Sequence, residues 1–275
     1  MHDYLLAALL GLVQALTEFL PISSSGHLVL APHLLGEGVS SLTFDVGLHA
    51  GTLAATLVYF WHDWMRIVRG LLQDIPAHGM RLSAWSESSQ LGLWIVLGTL
   101  PAVIVGIALN GPIEASVRQP AVVGALLIVF ALVLLWADGR PQRVRGLHRV
   151  GLVQTLLIGL AQAVALVPGV SRSGITITAG RLLQLDRETA TRFAFLLSLP
   201  AVSAAATLKL TEALTGNDPV RWGPIAVGAV VSGLAGYAVI HWLLRYLRTH
   251  SLRPFVWYRL TVGVLVLASV ATGRL

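Results

Sequence analysis

The chain has 275 residues, 55% of them hydrophobic and 12% charged, with a formal net charge of +6 and no cysteine. Soluble domains carry about 25% charged residues, so most of this surface is expected to face lipid. Neither a disulfide framework nor a thiolate metal site is possible. The arginines sit in short connections between apolar segments, which argues for membrane orientation rather than nucleic-acid binding.

The first apolar segment, 4–20, runs into Pro21 and three serines; a short apolar stretch, 27–36, follows. A crossing helix needs roughly 20 apolar residues. Segments 42–61, 91–110, 121–137, 190–211, 222–244 and 256–272 meet or approach that length, whereas 27–36 and 174–185 are too short. Segment 150–168 ends on Pro168 and, like the first, continues into serines rather than a charged loop. Proline blocks helix continuation and frees backbone groups, and in lipid such backbone survives only where protein or a wet cavity covers it. Segments 4–36 and 150–185 are therefore predicted to be re-entrant hairpins with tips inside the membrane. The predicted fold is an all-α integral membrane protein: six transmembrane helices plus two re-entrant helical hairpins. It forms one polytopic domain over 1–275. Apolar segments continue to the C-terminus, so no cleavable leader is expected.

Charge placement agrees with this arrangement. It puts connections 62–90, 138–149, 181–192 and 245–259 on one side with fourteen arginines, Arg259 among them. The other side receives Arg118, Lys209, Arg221 and Arg274, and Arg172 stands at a hairpin tip. The rich side is expected to be cytoplasmic, leaving both termini and the mouth of the first hairpin outside. Trp61, Trp64, Trp85, Trp136, Trp222 and Trp257 fall near span ends, where an interfacial belt is expected.

A shift of 148 residues lays "GLVQALTEFLPISSSG" (11–26) over "GLAQAVALVPGVSRSG" (159–174) without a gap. Gln14/Gln162, Ser23/Ser171, Ser25/Ser173 and Gly26/Gly174 are among the identities. Three crossings separate the copies, so the hairpins enter from opposite faces: an inverted-topology repeat, with halves of about 1–137 and 138–275. Such repeats typically meet near the midplane around a binding site.

Gln14 and Glu18 share a helix face at i, i+4, and Ser23, Ser24, Ser25 and His27 follow at the turn. The second tip supplies Ser171, Arg172, Ser173 and Thr176. An ionisable group at membrane depth costs ~2.5–3.5 kcal/mol on insertion scales, so Glu18 and Arg172 are expected to face one polar cavity. A guanidinium beside a helix N-terminus suits a phosphate. Glu18 suits a cation ligand or a general base, or a structural partner for Arg172. His27 suits proton transfer or a hydrogen bond within its own hairpin. A serine could be the nucleophile. These parts fit phosphoryl hydrolysis better than acyl transfer. His33, Asp45 and His49 are expected to pack or to support the site from behind.

The stretches "QALTEFLPISSSGH" (14–27) and "PGVSRSGIT" (168–176) resemble the two motifs of the undecaprenyl-diphosphate phosphatase family, also called bacitracin-resistance proteins. The resemblance implies a multi-pass enzyme of the bacterial cytoplasmic (inner) membrane, its active site open to the periplasm. It implies hydrolysis of undecaprenyl diphosphate to the monophosphate and inorganic phosphate, recycling the lipid carrier of cell-wall synthesis. By position, Glu18 is similar to the family's catalytic or metal-binding carboxylate, Ser24 to its proposed nucleophile and His27 to its acid/base histidine. Arg172, with Ser171, Ser173 and Thr176, matches the phosphate-holding motif, and Ser23 and Ser25 flank the nucleophile. A divalent cation, Mg²⁺ or Ca²⁺, is implied as cofactor, held by Glu18 and Gln14. Gln14 stands where many members carry a second acid, which leaves one carboxylate there. Serine or water remains open as the attacking group.

The rival reading is a polyprenyl-phosphate flippase or another inverted-repeat transporter. Glu18 and His27 align with Leu166 and Ile175, an asymmetry that suits a one-sided enzyme. Glycine-rich "VGAVVSGLAGY" (227–237) permits close helix packing, within one subunit or between two in a homodimer.

Overall fold

The computed structural model describes residues 2–27, 42–108, 119–143, 146–215 and 221–273. The predicted descending arm of the first hairpin and His33 fall mostly outside them, as do Arg118, Arg145 and Arg274. The helices are α1 (His2–Phe19), α2 (Leu42–Tyr59), α3 (Trp61–His78), α4 (Glu87–Ala108), α5 (Pro120–Asp138), α6 (Leu152–Val164), α7 (Arg172–Leu182), α8 (Arg187–Thr215), α9 (Trp222–Leu247) and α10 (Arg253–Ala271). No strand occurs among the described residues.

Among the described residues five helices are long and apolar enough to cross a bilayer: α4, α5, α8 through Thr207, α9 and α10. They fit a multi-pass membrane protein. Their outward faces carry Ile104, Leu132, Leu234 and Leu265, all exposed, a surface that water would disfavour. The sixth predicted crossing, 42–61, is α2; Asp45 and His49 interrupt its apolar run, and it is not among the five.

Three expectations are corrected. Segment 62–90 is not simply a loop: it contains α3 and a 3₁₀ turn, Leu82–Ala84. Apolar residues recur at helical spacing there, so α3 buries Ile67 and Gly70 and leaves Arg66 and Arg69 outside. Arg259 does not lie in a cytoplasmic connection: it sits in α10 and is wholly buried. Four of the tryptophans, Trp61, Trp136, Trp222 and Trp257, are exposed as a belt requires. Trp85 is instead buried, its indole N–H donating to Gly79 O at 3.0 Å.

Helix α1 packs on α9 and α6 on α4, while α5 packs on α10 and α2 on α8 and α9. Glycine sets the closest approaches. A Cβ on Gly11 would stand 2.5 Å from Gly228 O, and one on the equivalent Gly159 would stand 2.1 Å from Gly98 O. Both copies thus use the same device against their partner helices. The glycine-rich stretch of α9 is occupied within the subunit, where Gly228 meets Leu48 and Ala7, and Gly236 meets Phe19.

The connections expected on the arginine-rich side gather at one end. Asp138 receives Arg187 Nε at 2.6 Å and the backbone N–H of Leu252 at 3.1 Å. Arg192 reaches Asp63 at 3.0 Å, and Arg248 reaches Glu188 at 2.8 Å. Asp63, Arg187, Glu188, Arg192 and Arg248 line a cavity of about 760 Å³. Elsewhere, Asp3 of α1 pairs with Arg221 just before α9. Phe19, Ile177, Phe193 and Phe195 belong to one apolar core, with Phe19 and Phe195 edge-to-face at 5.4 Å.

Candidate active site

Each tip is built by one local device. Helix α1 stops at Phe19 before Pro21, and α6 stops at Val164 before Pro168. The chain then turns through a serine at positive φ: Ser23 at 78° and Ser171 at 74°. Ser23 Oγ accepts the Gly26 N–H at 3.2 Å, and Ser171 Oγ accepts the Gly174 N–H at 3.1 Å. These are N-caps, satisfying amides that a helix start leaves open. Gly169, at φ +94°, has no room for a side chain, since a Cβ would meet Val123 O at 2.8 Å.

The two tips touch. Ser173 Oγ donates to Leu20 O at 3.0 Å, and a Cβ on Gly26 would lie 3.5 Å from Gly169 Cα. Arg259 ties them together from α10: its guanidinium donates to Gly169 O and Val170 O at 3.0 Å each, to Leu127 O at 3.3 Å and to Pro21 O at 3.5 Å.

Across this junction Arg172 Nη2 pairs with Glu18 Oε1. Arg172 Nη1 reaches Ser198 O on α8 at 3.5 Å. The other oxygen, Glu18 Oε2, accepts Ser24 Oγ at 2.8 Å and Gln14 Nε2 at 3.3 Å. Glu18 is buried, its side chain 6% exposed, whereas Arg172 keeps 22% of its side chain open. A buried carboxylate needs such partners, because removing its water costs several kcal/mol.

The structure therefore brings Gln14, Glu18, Ser24 and Arg172 into direct contact. The remaining predicted residues are committed differently. Ser23 and Ser171 cap the turns, and Ser25 and Ser173 lie 3.4 Å from those capping hydroxyls. Thr176 Oγ1 donates to Arg172 O at 2.7 Å, inside its own helix. His27 has Nδ1 at 2.7 Å from Ser23 O and Nε2 at 2.7 Å from the Tyr258 hydroxyl, with the two rings stacked.

Three participants escaped the motif reading. His49 Nε2 comes within 4.0 Å of Glu18 Oε2; its signal was an ionisable residue inside an apolar helix. Arg259 gave a similar signal at the edge of its segment. Tyr258 gave none.

Residues 7–265 match the family model of bacitracin resistance protein BacA. The chain belongs to the BacA family. Its relatives include the undecaprenyl-diphosphatase of Geobacter sulfurreducens, 49% identical over 97% of this chain and 98% of that one. The undecaprenyl-diphosphatase of a Nocardioides species is 45% identical over 99% and 98%. That of Pelotomaculum thermopropionicum is 42% identical over 98% and 97%.

The site offers hard oxygen donors that suit a divalent cation. Gln14 Oε1 is buried with no hydrogen-bond partner, on the amide that adjoins Glu18. An amide oxygen and a carboxylate are the donors Mg²⁺ or Ca²⁺ accepts, with the rest of the shell left to water and phosphate. Among the described residues no group of three His, Asp or Glu side chains forms a complete protein cage.

Proposed function

We propose that this protein hydrolyses undecaprenyl diphosphate to undecaprenyl phosphate and inorganic phosphate, recycling the lipid carrier of cell-wall synthesis. One observation carries the reading: a serine hydroxyl bonded to a buried carboxylate that is itself paired, across two broken helices, with an arginine. Family membership and relatives with this activity in their names support it.

In the mechanism we infer, Arg172 turns its exposed fork from Glu18 toward the phosphates, as a planar guanidinium suits two phosphate oxygens. Ser24 Oγ gives its proton to Glu18 Oε2 and attacks the terminal phosphorus. The new Oγ–P bond forms as the anhydride P–O bond breaks, and undecaprenyl phosphate leaves as the stable monoester. Water then attacks the phosphoserine: the Oγ–P bond breaks, Glu18 returns to Ser24 Oγ the proton it had taken and accepts one from the water, and inorganic phosphate departs. A cation held by Glu18 and Gln14 would add positive charge against the phosphate oxygens. His27 becomes available for proton transfer once Nε2 parts from Tyr258.

The topology proposed is the one expected from the sequence: six crossings, α2 included, and two re-entrant hairpins in opposite senses. The clustered arginine-rich connections support a cytoplasmic end, with the site reached from the periplasmic side of the inner membrane and the polyprenyl tail along the lipid-facing flank.

The test is phosphate release by purified protein in detergent with a polyprenyl diphosphate. Wild type should release phosphate and carry a transient phosphoserine at position 24, and Ser24→Ala should lose at least about 10³-fold. Full turnover by Ser24→Ala would assign the attack to water.

A further inference from the structure

His49 enters the site from α2, a helix outside both tip motifs. Its Nδ1 lies 2.8 Å from Asp45 O. Only a protonated nitrogen can bond a carbonyl, so the neutral ring keeps its lone pair on Nε2. That nitrogen stands 4.0 Å from Glu18 Oε2, beyond hydrogen-bond reach. In that neutral form two acceptor atoms face each other across a gap that a positive charge would fill. A third acceptor is close by: Gln14 Oε1, buried without a partner, on the amide whose nitrogen bonds the same carboxylate oxygen. Arg172 is engaged with the opposite oxygen, Oε1, and leaves this edge of Glu18 free of guanidinium.

We propose that His49 Nε2 is a ligand of a divalent cation, completing with Glu18 and Gln14 the protein's share of the site. The inference deepens the phosphatase reading and rests on it for the cation's use. Donors sit roughly 2.1 Å from such an ion, so two of them can lie up to about 4.2 Å apart around it, and the 4.0 Å gap is within that span. A histidine ligand whose second nitrogen is fixed by a backbone carbonyl is the usual supporting arrangement at metal sites. The side chain of His49 is 30% exposed, which leaves an entry path. An imidazole ligand also moves preference away from Mg²⁺ and Ca²⁺ toward first-row transition ions.

The experiment uses the full chain purified in detergent, with Mn²⁺ as the probe. Electron spin echo spectra should show ¹⁴N modulation from one imidazole on bound Mn²⁺. His49→Gln should abolish the modulation and weaken Mn²⁺ binding about tenfold or more, while His27→Gln should keep both. Thermal unfolding shows whether each variant is folded, and His49→Asn serves if His49→Gln is not. Modulation that survives loss of the His49 ring, that vanishes with His27, or that is missing from Mn²⁺-loaded wild type overturns the assignment. The wild-type and His27→Gln spectra alone decide it if neither His49 variant folds. Failure of the phosphatase reading looks different: Mn²⁺ bound through nitrogen with no phosphate released from polyprenyl diphosphate. Phosphate released undiminished in chelator, with no Mn²⁺ bound, removes the cation site and leaves the phosphatase.

Discussion

Ser23 and Ser171, 148 positions apart, hold one backbone conformation, and each caps the amide three residues ahead of it. Each follows a proline-terminated helix whose glycine, Gly11 or Gly159, lies backbone-to-backbone against a glycine of another helix. The two stretches that align in sequence thus share their local bonding geometry.

The caps give a stability prediction with a sign. Ser171→Ala loses a cap worth about 1 kcal/mol and keeps a side chain in the left-handed region. Ser171→Gly loses the cap but relieves about 1–2 kcal/mol of left-handed backbone strain. Thermal unfolding in detergent should therefore place Ser171→Ala below wild type and Ser171→Gly near it. The reverse order would show that the hydroxyl's cap is not what holds the turn.

Glu18 and Arg172 should behave as a unit. Glu18→Gln removes the base and leaves the guanidinium without its counter-charge, and Arg172→Ala strands a buried carboxylate. Each should lower phosphate release by about 10²–10⁴-fold. The double variant should be no worse than the poorer single one. Independent, multiplicative losses would mean the two act on separate steps.

Arg259 has four backbone carbonyls as partners, drawn from both tips and α5. Arg259→Met keeps volume and leaves those carbonyls bare, at a cost of about 3 kcal/mol or more. Arg259→Lys keeps the charge without the fork and should rescue only part of the loss. A melting temperature unchanged in Arg259→Met would contradict the tie between the tips.

Glycine contacts predict two sensitive positions and one tolerant one. Alanine at Gly159 or Gly11 drives a methyl into the backbone of Gly98 or Gly228, and overpacking of this kind costs about 1–3 kcal/mol. Gly139, where a Cβ would have 3.5 Å to its nearest neighbour, should accept alanine without loss. Equal melting temperatures for all three variants would remove the close-packing argument.

Much of the architecture was legible because its causes are local. Hydropathy marked the spans α4, α5, α8, α9 and α10, since a run of apolar side chains has few other places to go. Pro21 and Pro168 marked the breaks, since a missing N–H acts wherever the residue lies. Helix α3 was lost because a stretch with arginine and aspartate reads as a connection until its apolar positions are counted at helical spacing.

Sequence alone therefore established a chain for the bilayer, two interrupted helices of matching chemistry, and Glu18 with Arg172 as charges needing a reason to be there. Tertiary packing decided who meets whom. It put Arg172 on one carboxylate oxygen and Ser24, Gln14 and the facing His49 on the other side. It also turned His27 toward Tyr258 and drew Arg259 out of a supposed connection into the junction. Those outcomes depend on which face each helix turns inward and which helices become neighbours, and no short stretch of residues encodes either.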